Sequence, residues 1–135
     1  MSAPVIHVAA ALTVDADGRA LMVRKHGTTI FMQPGGKIEP GESPLETLRR
    51  ELDEELGLVL GPEAFTWLGT FEEDAANEPG HRVVAEVYTL TVDAALPLAA
   101  AEIAESRWVD PHDVGDIEIA PLSSAALLPI LRLRP

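Results

Sequence analysis

The chain opens with two apolar segments whose length and surroundings are typical of β-strands. Val5–Val14 is mostly apolar and is followed by the turn residues Asp15–Gly18, after which Ala20–Lys25 forms a second apolar run. Apolar runs of this length between turn residues indicate strands, and two of them joined by a short turn indicate a hairpin. We therefore expect a β-hairpin near the start of the chain.

The clearest helix signal lies between Ser43 and Gly57. Ser43 is a good N-cap, Pro44 suits the first helical position, and Glu46 completes a Ser-x-x-Glu capping box. Gly57 is typical of the residue just past a helix end, because it adopts a left-handed conformation without strain. The pattern predicts a helix over Pro44–Leu56.

Beyond that helix, the pattern predicts three more strands and a terminal helix. Strands are indicated where β-branched and aromatic residues are frequent. The predicted elements are strands over Phe65–Glu72, Arg82–Val92 and Ser106–Val109, a turn at Asn77–Gly80, and a helix over Leu122–Arg132 that Pro129 kinks or shortens. Strands interleaved with helices favour a layered α/β or α+β domain, and the length fits one domain over residues 1–135.

Charge and composition narrow the class of protein. The chain has 22 acidic and 10 basic residues, a net charge of −12 at pH 7. Such a chain repels polyanions, so we expect no binding to nucleic-acid polymers. It has no cysteine, which excludes disulfides and Cys-ligated metal sites and fits a cytoplasmic protein. We see no signal peptide and no apolar run long enough for a membrane span.

Acidic residues are concentrated in the predicted helix, and their spacing indicates a metal site. On a helical wheel Glu51 and Glu55 lie beside a leucine stripe, and Glu54 is three residues from Glu51. The stripe consists of Leu45, Leu48, Leu52 and Leu56. Three carboxylates on one helix edge repel each other, whereas hard divalent cations bind oxygen ligands of this kind. Arg50 can hold one carboxylate without occupying the position of the metal.

A glycine segment precedes the helix at a fixed spacing. Pro34-Gly35-Gly36 is expected to interrupt any regular element, and its glycines let backbone groups approach a metal or a phosphate. Gly36, Glu42 and the segment Arg50–Leu58 together resemble the Nudix box at every defined position. The resemblance implies the fold of that family, an α/β/α sandwich around a mixed β-sheet.

The same resemblance implies a function. Nudix proteins hydrolyse nucleoside diphosphates linked to another group, with Mg²⁺ or Mn²⁺ as the cation. One box glutamate, or a glutamate from a later loop, would deprotonate the attacking water. The implied metal ligands are Glu51, Glu54, Glu55 and the carbonyl of Gly36 or Gly35; the implied catalytic residues are Glu54, Glu51 and Arg50, where Arg50 and Glu42 would support the loop–helix geometry.

One acidic residue outside the box is a further candidate. Glu102 lies six residues before Trp108, and a glutamate shortly before the last strand resembles the extra metal ligand or base of MutT-type members. The alternative is a solvated loop acid. Glu105 and Glu73 are weaker rivals for the same role. We include Glu102 among the predicted catalytic residues.

Three polar residues are candidates for binding the substrate. Arg24 and Lys37 stand where MutT-like members place phosphate-binding cations, with ordinary surface charge as the alternative. Gln33 occupies a position that is often apolar in the family. It therefore either reads the edge of a base or is simply exposed.

The resemblance leaves three functions open. We favour a (d)NTP as the small-molecule substrate. An ADP-sugar or dinucleotide hydrolase is the alternative, but the proline or tyrosine typical of such members about sixteen residues past the box is missing around Asp74–Ala76. A non-catalytic ligand-sensing domain is third, and it is disfavoured because all box glutamates are present. The sequence leaves monomer and homodimer open.

Overall fold

The computed structural model describes residues 4–75, 78–93 and 103–133, and a mixed β-sheet forms its centre. The expected hairpin is present as β1 (Val5–Val14) and β2 (Ala20–Lys25). The other strands are β3 (Ile30–Met32), β4 (Gly35–Lys37), β5 (Thr66–Asp74), β6 (Arg82–Thr91), β7 (Ile103–Val109) and β8 (Glu118–Ile119). The helices are α1 (Pro44–Leu56) and α2 (Leu128–Arg132), with a 3₁₀ turn at Pro62–Ala64 and a π-helical segment at Leu122–Leu127.

β1 lies in the middle of the sheet, which explains its apolar sequence. It pairs in parallel with β6 along its whole length, from Val5 opposite Arg82 to Val14 opposite Thr91. On its other side it pairs antiparallel with β2 and β4. The strand order is β5-β6-β1-β2-β3-β8, with β4 paired to β1 and β7 to β2. A strand covered on both faces needs apolar side chains on both.

Helices cover the two faces of this sheet. Successive residues of β1 point to opposite faces. Ala9 and Ala11 pack towards the leucine stripe of α1, whereas Ala10 and Leu12 pack towards the C-terminal helical segment. The sequence-based expectation of an α/β/α sandwich is therefore confirmed.

Local sequence signals determine the bounds of α1. The Ser43 hydroxyl accepts a hydrogen bond from the Glu46 backbone N–H at 3.1 Å, and the Glu46 carboxylate accepts one from the Ser43 N–H at 3.0 Å. At the other end Gly57 has φ 65°, a left-handed conformation that favours glycine. Both caps stand where the sequence places them, and the predicted helix Pro44–Leu56 is confirmed.

The glycine segment differs from its prediction. Pro34-Gly35-Gly36 was expected to interrupt regular structure, but Gly35–Lys37 forms β4, with Gly35 opposite Ala10 and Gly36 opposite Ala9. A Cβ at Gly35 would overlap the carbonyl oxygen of Ala9. β3 ends at Met32 and a bend at Pro34 separates it from β4, so the predicted break is present there. Only the two glycines differ from the prediction, because they permit close backbone pairing with β1 and extend the sheet.

The C-terminal elements also depart from the simple pattern. The predicted helix over Leu122–Arg132 is divided into a π-helical segment and α2, and the Leu128 N–H donates to the Ser123 carbonyl five residues earlier. Pro129 has no N–H to continue an α-helical ladder, which accounts for the change of helix type. β7 begins at Ile103, three residues before the predicted start at Ser106. Every helix among the described residues is too short or too polar to cross a bilayer.

Candidate functional site

The glycine segment and α1 meet where Gly36 lies under Glu51. A Cβ at Gly36 would lie 2.5 Å from the carboxyl carbon of Glu51 and 2.6 Å from its Oε1, which is closer than real contacts allow. The missing side chain therefore creates the space that the Glu51 carboxylate occupies, directly beside the β4 backbone. The Glu51 side chain is mostly buried, at 17% exposure.

Arg50 connects the loop before α1 to the acidic edge of the helix. Its Nε and Nη2 donate to the two oxygens of Glu42 at 2.8 and 2.9 Å, a bidentate pair. Its Nη1 donates to Glu51 at 3.0 Å and to Glu54 at 3.3 Å. These partners raise the pKa of the Arg50 guanidinium, with the hydrogen bond to Glu42 as the main cause.

Glu42 is held firmly in its ionised form. The hydrogen bond from Arg50 lowers the pKa of Glu42 from 4.5 to about 2, and the Thr47 hydroxyl, which donates at 2.9 Å, acts in the same direction. Glu42 therefore keeps its charge at neutral pH and fixes the loop against the first two turns of α1. Its partners satisfy its oxygens within the protein, which suits a supporting role.

The other two box glutamates have very different environments. Glu54 is exposed, with 60% of its side chain accessible, whereas Glu55 is buried at 4%. Glu51 lies between these extremes. Side-chain exposure along the edge of α1 that faces β4 therefore increases from Glu55, through Glu51, to Glu54.

The donor types at this corner fit a hard divalent cation. The Glu51 carboxylate stands next to the backbone of Gly36, and carboxylate and carbonyl oxygens are the ligands that hard divalent cations prefer. In the described ranges, no three acidic or histidine side chains converge as a ready-made metal site. Arg50 accounts for part of this, because it draws Glu54 and one oxygen of Glu51 towards its own guanidinium.

A cavity of about 340 Å³ opens beside the same glycines. Both Gly35 and Gly36 line it, and Lys37 lies at its edge in an ion pair with Glu78 at 3.4 Å. Its walls are largely apolar and include Ile6, Val8, Met32, Val83 and Leu122. An apolar pocket with a few polar groups is typical of small-molecule sites. The cavity therefore lies next to the candidate metal corner, since Gly36 belongs to both.

Two of the three predicted substrate-binding residues line the cavity, and the third does not. Gln33 and Lys37 line the cavity, and Gln33 is 6% exposed, so the alternative that it is simply exposed is wrong. Arg24 is not among the lining residues; it donates to the Thr28 carbonyl at 2.9 Å and pairs with Glu105 at 3.6 Å. The neighbouring Lys25 lines the cavity instead.

The later acids are partly outside the described chain. Glu102 lies outside the described residues, so its predicted role stays a prediction. Its rival Glu105 accepts a hydrogen bond from Arg107 at 2.6 Å, and this contact, with Arg24, lowers the pKa of Glu105. A carboxylate paired with two arginines is a weak proton acceptor, which disfavours Glu105 as the base.

Sequence reasoning did not find all the residues of this region. Ser123 lines the cavity from the π-helical segment, and His26 lines it from the loop after β2. Neither belongs to a motif, so only the fold could bring them to the glycine segment.

The NUDIX domain family model matches residues 4–129 of the chain. The chain is 38% identical over 81 residues to an uncharacterized Nudix hydrolase of Pseudomonas aeruginosa, covering 58% of this chain and 43% of that protein. It is 43% identical over 58 residues to an RNA pyrophosphohydrolase of Halorhodospira halophila, covering 43% and 31%. It is 36% identical over 63 residues to an 8-oxo-dGTP diphosphatase of Haemophilus influenzae, covering 44% and 46%. Each match spans less than half of the relative's length.

Solved structures with the same fold cover nearly the whole chain. A dihydroneopterin triphosphate pyrophosphohydrolase of E. coli superposes with a TM-score of 0.78 at 17% identity, covering 95% of this chain and 96% of that one. A MutT structure from a study of Aliivibrio salmonicida and Vibrio cholerae superposes with a TM-score of 0.72 at 20% identity, covering 96% and 99%. At these identities the likeness concerns the fold.

Proposed function

The chain belongs to the Nudix family, and we propose on this basis that it is a Mg²⁺-dependent pyrophosphohydrolase that acts on a nucleoside triphosphate. Nudix hydrolases generally use divalent cations. The observation that carries the proposal is the position of the Glu51 carboxylate against Gly36, a residue that also lines a largely apolar cavity. A nucleotide with its nucleoside in the cavity has its phosphates beside the acidic edge of α1.

Each residue of this corner has a proposed role. Glu51, Glu54 and Glu55 would hold the cation together with the Gly36 backbone, with Mg²⁺ as the proposed ion and Mn²⁺ as its substitute. When bound, the cation neutralises phosphate charge and activates a water. Glu51 or Glu54 would accept the proton of the attacking water, and Glu102 is a further candidate for this role.

Supporting residues keep this geometry in place. Arg50 positions Glu51 and Glu54 through its hydrogen bonds, and Glu42 anchors Arg50 to the loop. Lys37, at the cavity edge, provides positive charge for a phosphate once it leaves Glu78. Arg24 is the second proposed phosphate partner, and it first has to leave Glu105.

The proposed substrate class is a (d)NTP. Support comes from the relative named as an 8-oxo-dGTP diphosphatase, whose substrate is by name a nucleoside triphosphate, whereas the other relative acts by name on RNA. The cavity beside the glycines, with a volume of about 340 Å³, has room for a heterocycle. The net charge of −12 disfavours polymeric substrates.

A product assay tests this proposal. The protein is incubated with (d)NTPs, ADP-sugars and dinucleoside polyphosphates, in Mg²⁺ and separately in EDTA, and the products are identified by ³¹P NMR. We expect a nucleoside monophosphate and pyrophosphate from at least one (d)NTP, and none in EDTA. Cleavage restricted to ADP-sugars would replace the substrate class, and turnover unaffected by EDTA would contradict the metal-dependent mechanism.

A further inference from the structure

Two buried polar atoms that have no hydrogen-bond partner among the described residues belong to side chains that line the cavity. They are Gln33 Oε1 and Ser123 Oγ. Gln33 is 6% exposed and Ser123 is 1% exposed, so bulk water does not readily satisfy either atom. Burying an unpaired polar group is costly, and native proteins keep few of them. Two such groups around one cavity suggest that a ligand supplies the missing partners.

The surroundings of Gln33 determine which of its groups is available. Its Nε2 donates to the Met22 Sδ at 3.3 Å, which leaves the carboxamide oxygen as the free acceptor. A ligand therefore has to present a hydrogen-bond donor to Gln33.

Ser123 approaches the cavity from an unusual element. It belongs to the π-helical segment Leu122–Leu127, and such segments occur frequently at functional sites. A serine hydroxyl both donates and accepts, so it complements either a carbonyl or an amino group of the ligand. The neighbouring wall residues Leu122 and Ala120 are apolar and suit the flat face of a ring.

We propose that Gln33 and Ser123 are specificity-determining residues that bind the polar edge of a nitrogen heterocycle carrying an amino or lactam N–H. The donor edge of the base pairs with Gln33 Oε1, and the adjacent group pairs with Ser123 Oγ. The apolar walls cover the faces of the ring. This inference rests on the proposed function only because it takes the ligand to be a nucleotide.

The first test concerns stability without ligand. Gln33→Leu and Ser123→Ala each remove an unpaired polar atom, so both are expected to raise the Tm of the free protein by a few degrees. Thr13→Val is the matched control, because Thr13 Oγ1 is also buried without a partner in the described part of the chain, but Thr13 does not line the cavity. An unchanged or lower Tm for Gln33→Leu would mean that its carboxamide is satisfied in the free protein, which would overturn the premise.

The second test concerns recognition and uses calorimetric binding of nucleoside monophosphates in EDTA. The best of AMP, GMP, CMP and UMP should bind about tenfold more tightly than purine riboside monophosphate, which lacks amino and lactam groups. Gln33→Leu should reduce this ratio to about threefold or less, whereas Thr13→Val should keep it.

The outcomes separate this inference from the proposed function. An equal ratio in wild type and Gln33→Leu, or no binding of any monophosphate, would overturn the inference even if the enzyme hydrolyses triphosphates. A preserved preference for N–H-bearing bases without hydrolysis of any nucleotide would support the inference and reject the proposed function.

Discussion

Arg50 shows how one residue organises the acidic edge of α1. Its planar guanidinium reaches both oxygens of Glu42 and at the same time Glu51 and Glu54. The ammonium group of a lysine lacks this planar, fixed arrangement of hydrogen-bond donors. The helical wheel predicted the carboxylates, and Arg50 was expected to hold one of them, yet the structure shows three. The difference arises because Glu42 comes from the loop, whose position a helical wheel does not contain.

The two glutamates nearest the core give the first test of metal binding. Glu51→Gln and Glu55→Gln each remove a charge but keep the shape of the side chain, so each should lower kcat by about 10²–10³. Circular dichroism should show an intact fold. Glu63→Gln, in the exposed 3₁₀ turn, is the control and should have wild-type kcat. Near-wild-type kcat for both site variants at saturating Mg²⁺ would rule out ligation by α1.

The lowered pKa of Glu42 leads us to expect a specific pH dependence of the stability of the fold. Its pKa is about 2 in the folded protein against an ordinary value of 4.5. A lowered folded pKa stabilises the protein above the unfolded pKa, and this contribution disappears as the pH falls from about 4.5 towards 2.

The comparison with Glu42→Gln isolates that contribution. We expect wild type to melt at a higher temperature than Glu42→Gln at pH 6, with a gap that narrows steadily as the pH falls through this range. Thermal melts at closely spaced pH values measure it. A gap that stays constant down to pH 2 would show that Arg50 does not stabilise the ionised form.

Gln33 shows why some residues resist prediction. A lone glutamine in a loop is normally exposed, and its burial here depends on Met22 of β2 and on the cavity wall from the C-terminal segment. These partners are far apart in sequence.

Trp67, which we would expect in a core or a wall, is 58% exposed and donates its indole N–H to Glu86 at 3.1 Å.

Among the elements, α1 was fully predictable because its signals are local. Ser43, Glu46 and Gly57 act within a few residues of the helix ends. β4 was not predictable, because a glycine strand has no propensity of its own and forms only against β1. The π-helical segment was also missed, because Pro129 predicts that the helix is kinked or shortened but does not predict which helix type results.

The contact between β4 and α1 can be tested with one methyl group. Gly36→Ala places a Cβ against the Glu51 carboxylate and should displace it, lowering kcat by about tenfold or more while the backbone remains compatible with alanine.

A second glycine supplies a matched control for that variant. A Cβ at Gly61 would likewise meet a flexible glutamate, Glu63, but away from the site. Gly61→Ala should therefore keep wild-type kcat when pyrophosphate release from the same nucleotide is measured for both variants. Equal kcat values for Gly36→Ala and Gly61→Ala would show that the position of Glu51 does not matter for catalysis.

At the scale of the whole molecule, long-range pairing assembles the site. The parallel alignment of β1 with β6 joins Val5 to Arg82, and the C-terminal segment then covers the face opposite α1. The sequence indicated the layers but not this order, because parallel neighbours are distant in the chain. The cavity, formed between the glycine segment and the C-terminal segment, could therefore not be predicted.

Net charge leads to a prediction about binding partners. With 22 acidic and 10 basic residues, the molecule has little positive surface for a phosphate backbone. We expect only weak binding of DNA and RNA, even though the proposed substrate is a nucleotide. Fluorescence anisotropy with labelled oligonucleotides at physiological salt measures this. Tight binding with a steep salt dependence would contradict it.

The central claim is that a divalent cation binds where β4 meets the acidic edge of α1. Paramagnetic broadening by Mn²⁺, mapped on assigned backbone amide signals, tests it most directly because the measurement locates the ion without a substrate. We predict that substoichiometric Mn²⁺ first broadens Gly36 and the Glu51–Glu55 turn. Broadening centred on other acidic segments, such as Asp15–Asp17 or Asp110–Asp113, while Gly36 stays sharp would contradict the account.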